Sequence, residues 1–391
     1  MHALSRFLSE PLPDVGAFDF QPRTRLIFGP DTLERVGELA RDLGSRRVLV
    51  VTDKGIVAAG HAARAVSFLE AVGLNAAVHA EVRENPTTQD VSLCVAAARA
   101  AEADLLVGLG GGSSMDTAKG ANFILSNGGE MRDYWGVGKA TKPMLPLIAI
   151  PTTAGTGSEC QSAALIADET THQKMACLDP KVLPRIAILD PLLTVSQPQG
   201  VTACTGMDAL VHSLETAVTR KRNGISAAFS RQAFRQCIAA LPHVLTTPLD
   251  LKARANMQLG AAFSGLAIET SMLGAAHSAA NPLTAHHGIA HGHAVGVMLP
   301  PVIRFNAGLP QARARYEELA SAAGLGSVEG LVERVLAILQ LAQMDRPLRE
   351  LGVQEAGIPA LAAEAAQQWT AGFNPRPITA ADFEALYREV Y

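Results

Sequence analysis

Apolar and polar positions change rhythm partway along the chain. Arg47-Val48-Leu49-Val50-Val51 is a short unbroken apolar run ending in Thr52-Asp53, the pattern of a strand buried on both faces. Residues 62–72 then space their apolar side chains like a helix. Residues 76–79 read as a second strand, 89–101 as a helix, 104–109 as a third strand and 144–150 as a fourth. Ahead of these, residues 18–28 alternate loosely before Gly29-Pro30 and read as an early strand pair, after an irregular lead-in over residues 1–16. Strands alternating with helices predict a parallel sheet covered on both faces. After Gln197-Pro198-Gln199-Gly200 the strand signals stop, and helical periodicity continues to Tyr391. The expected fold is α/β: a Rossmann-like parallel-sheet domain over residues 1–197, then an all-helical domain over 198–391.

Composition agrees with a large buried core, since 48% of the 391 residues are hydrophobic and only 18% charged. A net charge of −4 gives no field that would draw the chain to nucleic acid or an acidic membrane. Cys94, Cys160, Cys177, Cys204 and Cys237 are odd in number and form no C-x-x-C, which reads as free thiols in a reducing compartment. No secretory apolar stretch opens the chain, and no run approaches the ~18–20 residues of a membrane span. A soluble, cytoplasmic protein is expected.

The third strand runs into Gly110-Gly111-Gly112-Ser113-Ser114-Met115-Asp116. Three glycines let backbone approach a bulky anion, and a helix starting at Ser113 or Ser114 would aim free N–H groups at a phosphate. Ser113 and Asp116 have capping-box spacing, and Asp116 is counted with the loop among the cofactor-binding residues. The run is neither a Walker loop nor the ordinary dinucleotide fingerprint, because Ser113 replaces the third glycine. A plain strand-to-helix turn is the rival reading. Asp53, at the end of the first strand, could accept from both ribose hydroxyls of NAD and repel a 2′-phosphate, or could simply cap a helix. Residues 151–159, Pro-Thr-Thr-Ala-Gly-Thr-Gly-Ser-Glu, follow the fourth strand where open α/β sheets bind ligands.

Asp208 and His212 stand at i and i+4 on one helical face. Alone they read as a solvated carboxylate–imidazole pair. However, five of the 11 histidines fall between His277 and His293, among small apolar residues. Imidazoles are the commonest metal ligands, and three with one carboxylate suit Fe²⁺ or Zn²⁺. Capping or core histidines are the rival reading, and the cluster favours a metal site over it.

Taken as a set, residues 110–119, 151–159, 206–215 and His277 to His291 resemble the iron-containing (group III) alcohol dehydrogenases, of the dehydroquinate synthase-like superfamily. The likeness covers about residues 17–310. It implies a divalent ion, Fe²⁺ or Zn²⁺, held by Asp208, His212, His277 and His291. It also implies NAD selected by Asp53, with its pyrophosphate on Gly110, Gly111, Gly112 and Ser113. Asn85 would lie on the adenosine side, Thr152, Thr153 and Thr156 on the nicotinamide side, and Lys174 near a ribose. Many members carry a further histidine four residues after the first later ligand; Asn281 stands here and cannot shuttle a proton near neutral pH. His286 or His287 is therefore the expected substitute relay. Aromatics usual in that loop are absent, and Pro300-Pro301 replaces the usual Pro-His.

The expected activity is hydride transfer between an alcohol or aldehyde and NAD, in a homodimer or larger homo-oligomer. Rival readings are a hydroxyacid–oxoacid transhydrogenase, a dehydroquinate synthase-type lyase, a metal-independent reductase and a non-catalytic binding protein. The lyase would need a dense basic cluster, which is not evident near the histidines.

Overall fold

Short aliphatic runs build the first half of the computed structural model, which describes residues 17–171 and 173–391. The expected lead-in over residues 1–16 lies outside the described residues. In chain order come β1 (Arg25–Phe28), α1 (Val36–Asp42), β2 (Arg47–Val51), α2 (Lys54–Ala58), α3 (His61–Glu70), β3 (Asn75–His79), α4 (Thr88–Ala100) and β4 (Leu105–Gly110). Then follow α5 (Gly112–Asn127), β5 (Gly136–Val137), β6 (Leu147–Pro151), β7 (Ala163–Ala167), β8 (Lys174–Leu178) and β9 (Ile186–Leu189).

Six strands form one wholly parallel sheet in the order β1-β9-β6-β4-β2-β3. Every residue of β4, β6 and β9 is buried, as expected of strands covered on both faces. The chain leaves β2 for β3 on one side and returns to β4 on the other. This order reversal opens a crevice beyond the C-terminal ends of β2 and β4, the place where doubly wound sheets bind ligands.

Two details differ from the expectation. Residues 18–28 yield one strand, not a pair: β1 pairs with β9 (Arg25↔Ile186), and Phe20 instead packs its ring 6.1 Å from Phe229. The three-stranded sheet β5-β8-β7 was not anticipated. Its alternation is broken by polar turns, and it gains its order by packing on α5, where Ile166 meets Gly120.

From residue 199 the chain is helical: α6 (Gln199–Val218), α7 (Gly224–Thr246), α8 (Leu251–Glu269), α9 (Ala275–His287), α10 (His291–Ala307), α11 (Pro310–Ala322), α12 (Val328–Leu341), α13 (Ile358–Gln367) and α14 (Ala380–Glu389). α6 is buried nearly all round, the mark of a central helix. Its Met207, Leu210, Val211 and Leu214 join the largest apolar cluster with Phe234 and Leu241 of α7 and Val295 and Met298 of α10. No helix among the described residues is long and apolar enough to cross a membrane. The five cysteines are all free thiols.

Candidate metal and nucleotide site

The central helix α6 fixes Asp208 and His212 in a buried setting. The first turns of α9 and α10 bring His277 and His291 against them. His212 Nε2, His277 Nε2 and His291 Nε2 lie 3.3, 3.4 and 3.8 Å from one oxygen, Asp208 Oδ1. Ligand atoms of Asp208, His277 and His291 fall within 4.8 Å of one another. Ligands held at about 2.0–2.2 Å around a tetrahedral ion stand roughly 3.3–3.6 Å apart. The His212 and His277 separations from Asp208 match that spacing, His291 stands slightly wide of it, and His212 falls outside the mutually close group. Asp208 Oδ1 and His277 Nε2 are buried and have no hydrogen-bond partner. Such orphaned atoms are costly unless something answers them, and a divalent cation answers both. The residues fit the ion.

The electrostatics point the same way. Burial alone would raise the Asp208 carboxyl, but His212, His277 and His291 together hold it below the usual carboxylate range. Burial pushes His212 down to about 4 and His291 down to about 3, so both imidazoles stay neutral and able to donate a lone pair. His277 differs. Burial would lower it, yet the facing Glu215 charge, with help from Asp208, lifts it to about 9.

Glu215 is the functional residue that the sequence reading passed over. Its Oε2 lies 2.6 Å from His277 Nδ1, and its Oε1 accepts from the Ala276 N–H at 2.6 Å. One carboxylate thus answers a buried backbone donor in the first turn of α9 and orients the His277 imidazole with Nε2 turned toward Asp208. The signal was present: Asp208, His212 and Glu215 are at i, i+4 and i+7, one helical face.

The crevice beside β2 and β4 gathers Asp53, the glycine loop, Thr153 and Thr156. α5 starts at Gly112 behind Gly111, slightly earlier than expected, and no side chain caps it, so its first N–H groups stay open to an anion. Gly110 has φ 148°, a backbone that disfavours any side chain, and a Cβ there would lie 2.4 Å from Ser114 Oγ. That same Cβ position lies 3.5 Å from Asp53 Oδ2, which places Asp53 beside the glycine loop. Asp53 Oδ1 accepts from the Ile56 N–H as the cap of α2, so each oxygen answers one of the two sequence readings. Thr153 and Thr156 sit against Gly111 and Gly112, Thr152 is buried, and its N–H donates to the Gly110 carbonyl at 2.9 Å. Asn85 is exposed in a left-handed conformation, φ 52°, which asparagine tolerates. Lys174 begins β8 and lies in the field of Asp116 and Asp208.

Three expectations shift. Asp116 does not pair with Ser113 as a cap. Its Oδ1 accepts from Ser158 Oγ at 2.8 Å and its Oδ2 from the Leu165 N–H at 3.2 Å, so it braces the loop after β6 from inside. His286 faces away from the ligand cluster. It is half a helical rotation and about 13–14 Å along the axis from His277, and its Nε2 meets Glu364 Oε2 at 2.6 Å on the surface. His287, one residue further, is likewise roughly 15 Å from His277 along α9. By contrast Asn281, one turn after His277, shares its side of the helix, and its Nδ2 donates to Gln368 Oε1 at 3.1 Å.

A second buried network was also missed. Lys119 Nζ donates to the Ser158 carbonyl (2.6 Å), Ser158 Oγ (2.8 Å) and the Ala163 carbonyl (2.9 Å), while Glu269 of α8 accepts from the Ser162 N–H and hydroxyl. It ties the loop after β6 to both α5 and α8.

Comparison with known proteins covers nearly the whole described chain. The family described as iron-containing alcohol dehydrogenase matches residues 22–191, and its C-terminal family matches residues 202–391. The chain is 32% identical to the 1,3-propanediol dehydrogenase of Klebsiella pneumoniae over 96% of this chain and 99% of the relative. It is 32% identical to the NAD-dependent methanol dehydrogenase of Bacillus methanolicus over 93% of this chain and 97% of the relative. Among solved structures, sulfoacetaldehyde reductase from Bifidobacterium kashiwanohense in complex with NAD+ superposes with a TM-score of 0.89 at 28% identity, over 96% of this chain and 99% of the other.

Proposed function

The chain belongs to the iron-containing alcohol dehydrogenase family, and on that premise we propose how its own residues divide the reaction. It is an NAD-dependent alcohol dehydrogenase and aldehyde reductase. A transhydrogenase or lyase is not favoured, since the relatives are dehydrogenases and reductases. When bound, the divalent ion, Fe²⁺ in most of the family, supplies a Lewis acid for the alcohol or aldehyde oxygen, and NAD supplies the hydride acceptor.

Asp208, His212, His277 and His291 would hold the ion, with Glu215 fixing the His277 ring. Residues 1–197 would hold the nucleotide and 198–391 the ion. Gly110, Gly111, Gly112 and Ser113 would present N–H groups to the pyrophosphate, and Asp53 Oδ2 would accept from the adenosine ribose. Thr152, Thr153 and Thr156 would place the nicotinamide half, with Asn85 on the adenosine side and Lys174 beside a ribose. Asp116 serves indirectly, by bracing Ser158. Neither Asn281 nor Gln368 titrates near neutral pH, and His286 and His287 are remote, so none of these side chains would relay the hydroxyl proton, which would pass to solvent.

The observation that carries this reading is the convergence of three imidazoles on the unpartnered Asp208 Oδ1 beside a nucleotide crevice. The test is NADH absorbance with metal-loaded protein and a panel of short alcohols and aldehydes. Turnover that disappears on metal removal and in Asp208→Ala supports it; turnover by a metal-free Asp208→Ala protein sinks it. The assembly is proposed as a homodimer or larger homo-oligomer in the cytoplasm. Exposed Trp135, Val137 and Leu165 around the small sheet support an assembly. A monomer by light scattering would remove that part.

A further inference from the structure

The polar surface beside the ion site contains an amide pair that the reaction does not consume. Asn281 Nδ2 donates to Gln368 Oε1 at 3.1 Å, and both residues are partly exposed. That bond uses one donor and one acceptor. Asn281 Oδ1 and Gln368 Nε2 have no protein partner among the described residues, which leaves one acceptor and one donor side by side. Exchanging the O and N assignments of both amides leaves the same inventory.

Position gives the pair its meaning. Along α9, His277, Asn281 and Thr284 fall at i, i+4 and i+7, a single stripe. His277 Nε2 points to the ligand cluster, so Asn281 stands one turn, about 6 Å, beyond it. Thr284 continues the stripe, and its Oγ1 is buried without a partner. Gln368 is carried in from the end of α13, where the Ser278 and Thr370 hydroxyls, 2.7 Å apart, clamp that segment to α9. A bare alkyl chain lying along this stripe would strip water from an amide donor and an amide acceptor and return nothing. A hydroxyl is both donor and acceptor and satisfies them.

We propose that Asn281 and Gln368 are specificity-determining residues that read a second hydroxyl on the substrate, a short carbon chain away from the reacting oxygen. The proposal rests on the alcohol dehydrogenase reading above. It makes the substrate class short hydroxylated alcohols and the matching hydroxyaldehydes, with simple alkanols as poor substrates. Reading happens by hydrogen bonding alone and adds nothing to proton transfer.

The test uses the metal-loaded enzyme with NAD and matched pairs: propan-1-ol with propane-1,3-diol, and butan-1-ol with butane-1,4-diol. The wild-type enzyme is expected to favour the diol in kcat/KM by about tenfold or more, chiefly through KM. Gln368→Leu and Asn281→Leu, made separately, should each bring the diol-to-alkanol ratio close to one. Gln368→Asn, which retains an amide, should keep part of the preference. A wild-type ratio near one overturns the proposal. So does a ratio left intact by both leucine variants, or an equal loss on both members of each pair. Absence of turnover with every alcohol and aldehyde is a separate result, and it overturns the underlying dehydrogenase reading.

Discussion

Glu215 Oε2 lies 2.6 Å from His277 Nδ1, and the same carboxylate accepts from the backbone N–H of Ala276. The contact is nearly fully buried, with side-chain exposures of 3% and 6%. It therefore fixes both the tautomer and the ring plane of His277, whose ring stacks 4.9 Å from His212 and whose Nε2 faces Asp208. Glu215→Gln keeps the shape and removes the charge. Outer partners of this type are typically worth about 10–100-fold in metal affinity. Competition with a coloured chelator should show a loss in that range, with the folded far-ultraviolet signal retained. Unaltered affinity would mean that Glu215 only caps α9.

Asp53 carries two loads on two oxygens. Oδ1 caps α2 through the Ile56 N–H at 3.0 Å, and Oδ2 faces the glycine loop. Asp53→Ser keeps a capping oxygen and removes the negative charge, so the cap loss stays below the ~1 kcal/mol typical of alanine. The expected outcome is a rise of at least about tenfold in the NADP-to-NAD ratio of kcat/KM, because a 2′-phosphate is no longer repelled. An unchanged ratio would leave Asp53 as a cap alone.

The sequence made the fold legible where one local rule decided the outcome. β2, β4 and β6 are unbroken apolar runs, and only a doubly covered strand suits them. The small sheet was illegible because Ala163–Ala167 alternates weakly and becomes a strand through contact with α5 and β8. Asp208, His212, His277 and His291 were named from family likeness, and the structure brings them together around Asp208 Oδ1. The roles of neighbours were not, because carboxylates at the same spacing can point inward or outward. Asp116 had cap spacing and turned inward to Ser158, while Glu215 had ligand spacing and went unread. His286 belonged to a dense histidine run, but helix rotation carries it to the surface opposite His277.

Glu159 should leave a mark on the pH dependence of stability. It is 2% exposed, and burial lifts its carboxyl from 4.5 to about 7, against smaller opposing pulls from a backbone N–H and then Lys119. Because the folded value is the higher one, the folded state holds the proton more tightly than the unfolded state. The contribution is thus fullest at acid pH and is lost as pH rises from 4.5 through about 7. Its size is on the order of 3 kcal/mol. Relative to Glu159→Gln, the wild-type melting temperature should fall across that window. Parallel melting curves for the two proteins would contradict the buried, protonatable state.

The loop after β6 lies between the two halves of the site, and that placement predicts linkage between them. Its Thr153 and Thr156 abut Gly111 and Gly112 of the phosphate loop. On its other side a Cβ on Gly155 would fall 2.4 Å from the Thr205 Cβ, one turn before Asp208 on α6. One short segment therefore separates the nucleotide crevice from the ligand helix, without slack. Gly155→Ala must push the loop off α6 or into the glycines, an overpacking cost of about 1–3 kcal/mol. NADH affinity by fluorescence and metal affinity by chelator competition should then both weaken. In the unaltered protein, each ligand should tighten the other by the same factor, because coupling between binding sites is reciprocal. A variant that loses one affinity and keeps the other, or a wild-type protein whose metal affinity ignores saturating NAD, would show that the segment separates the two sites without linking them.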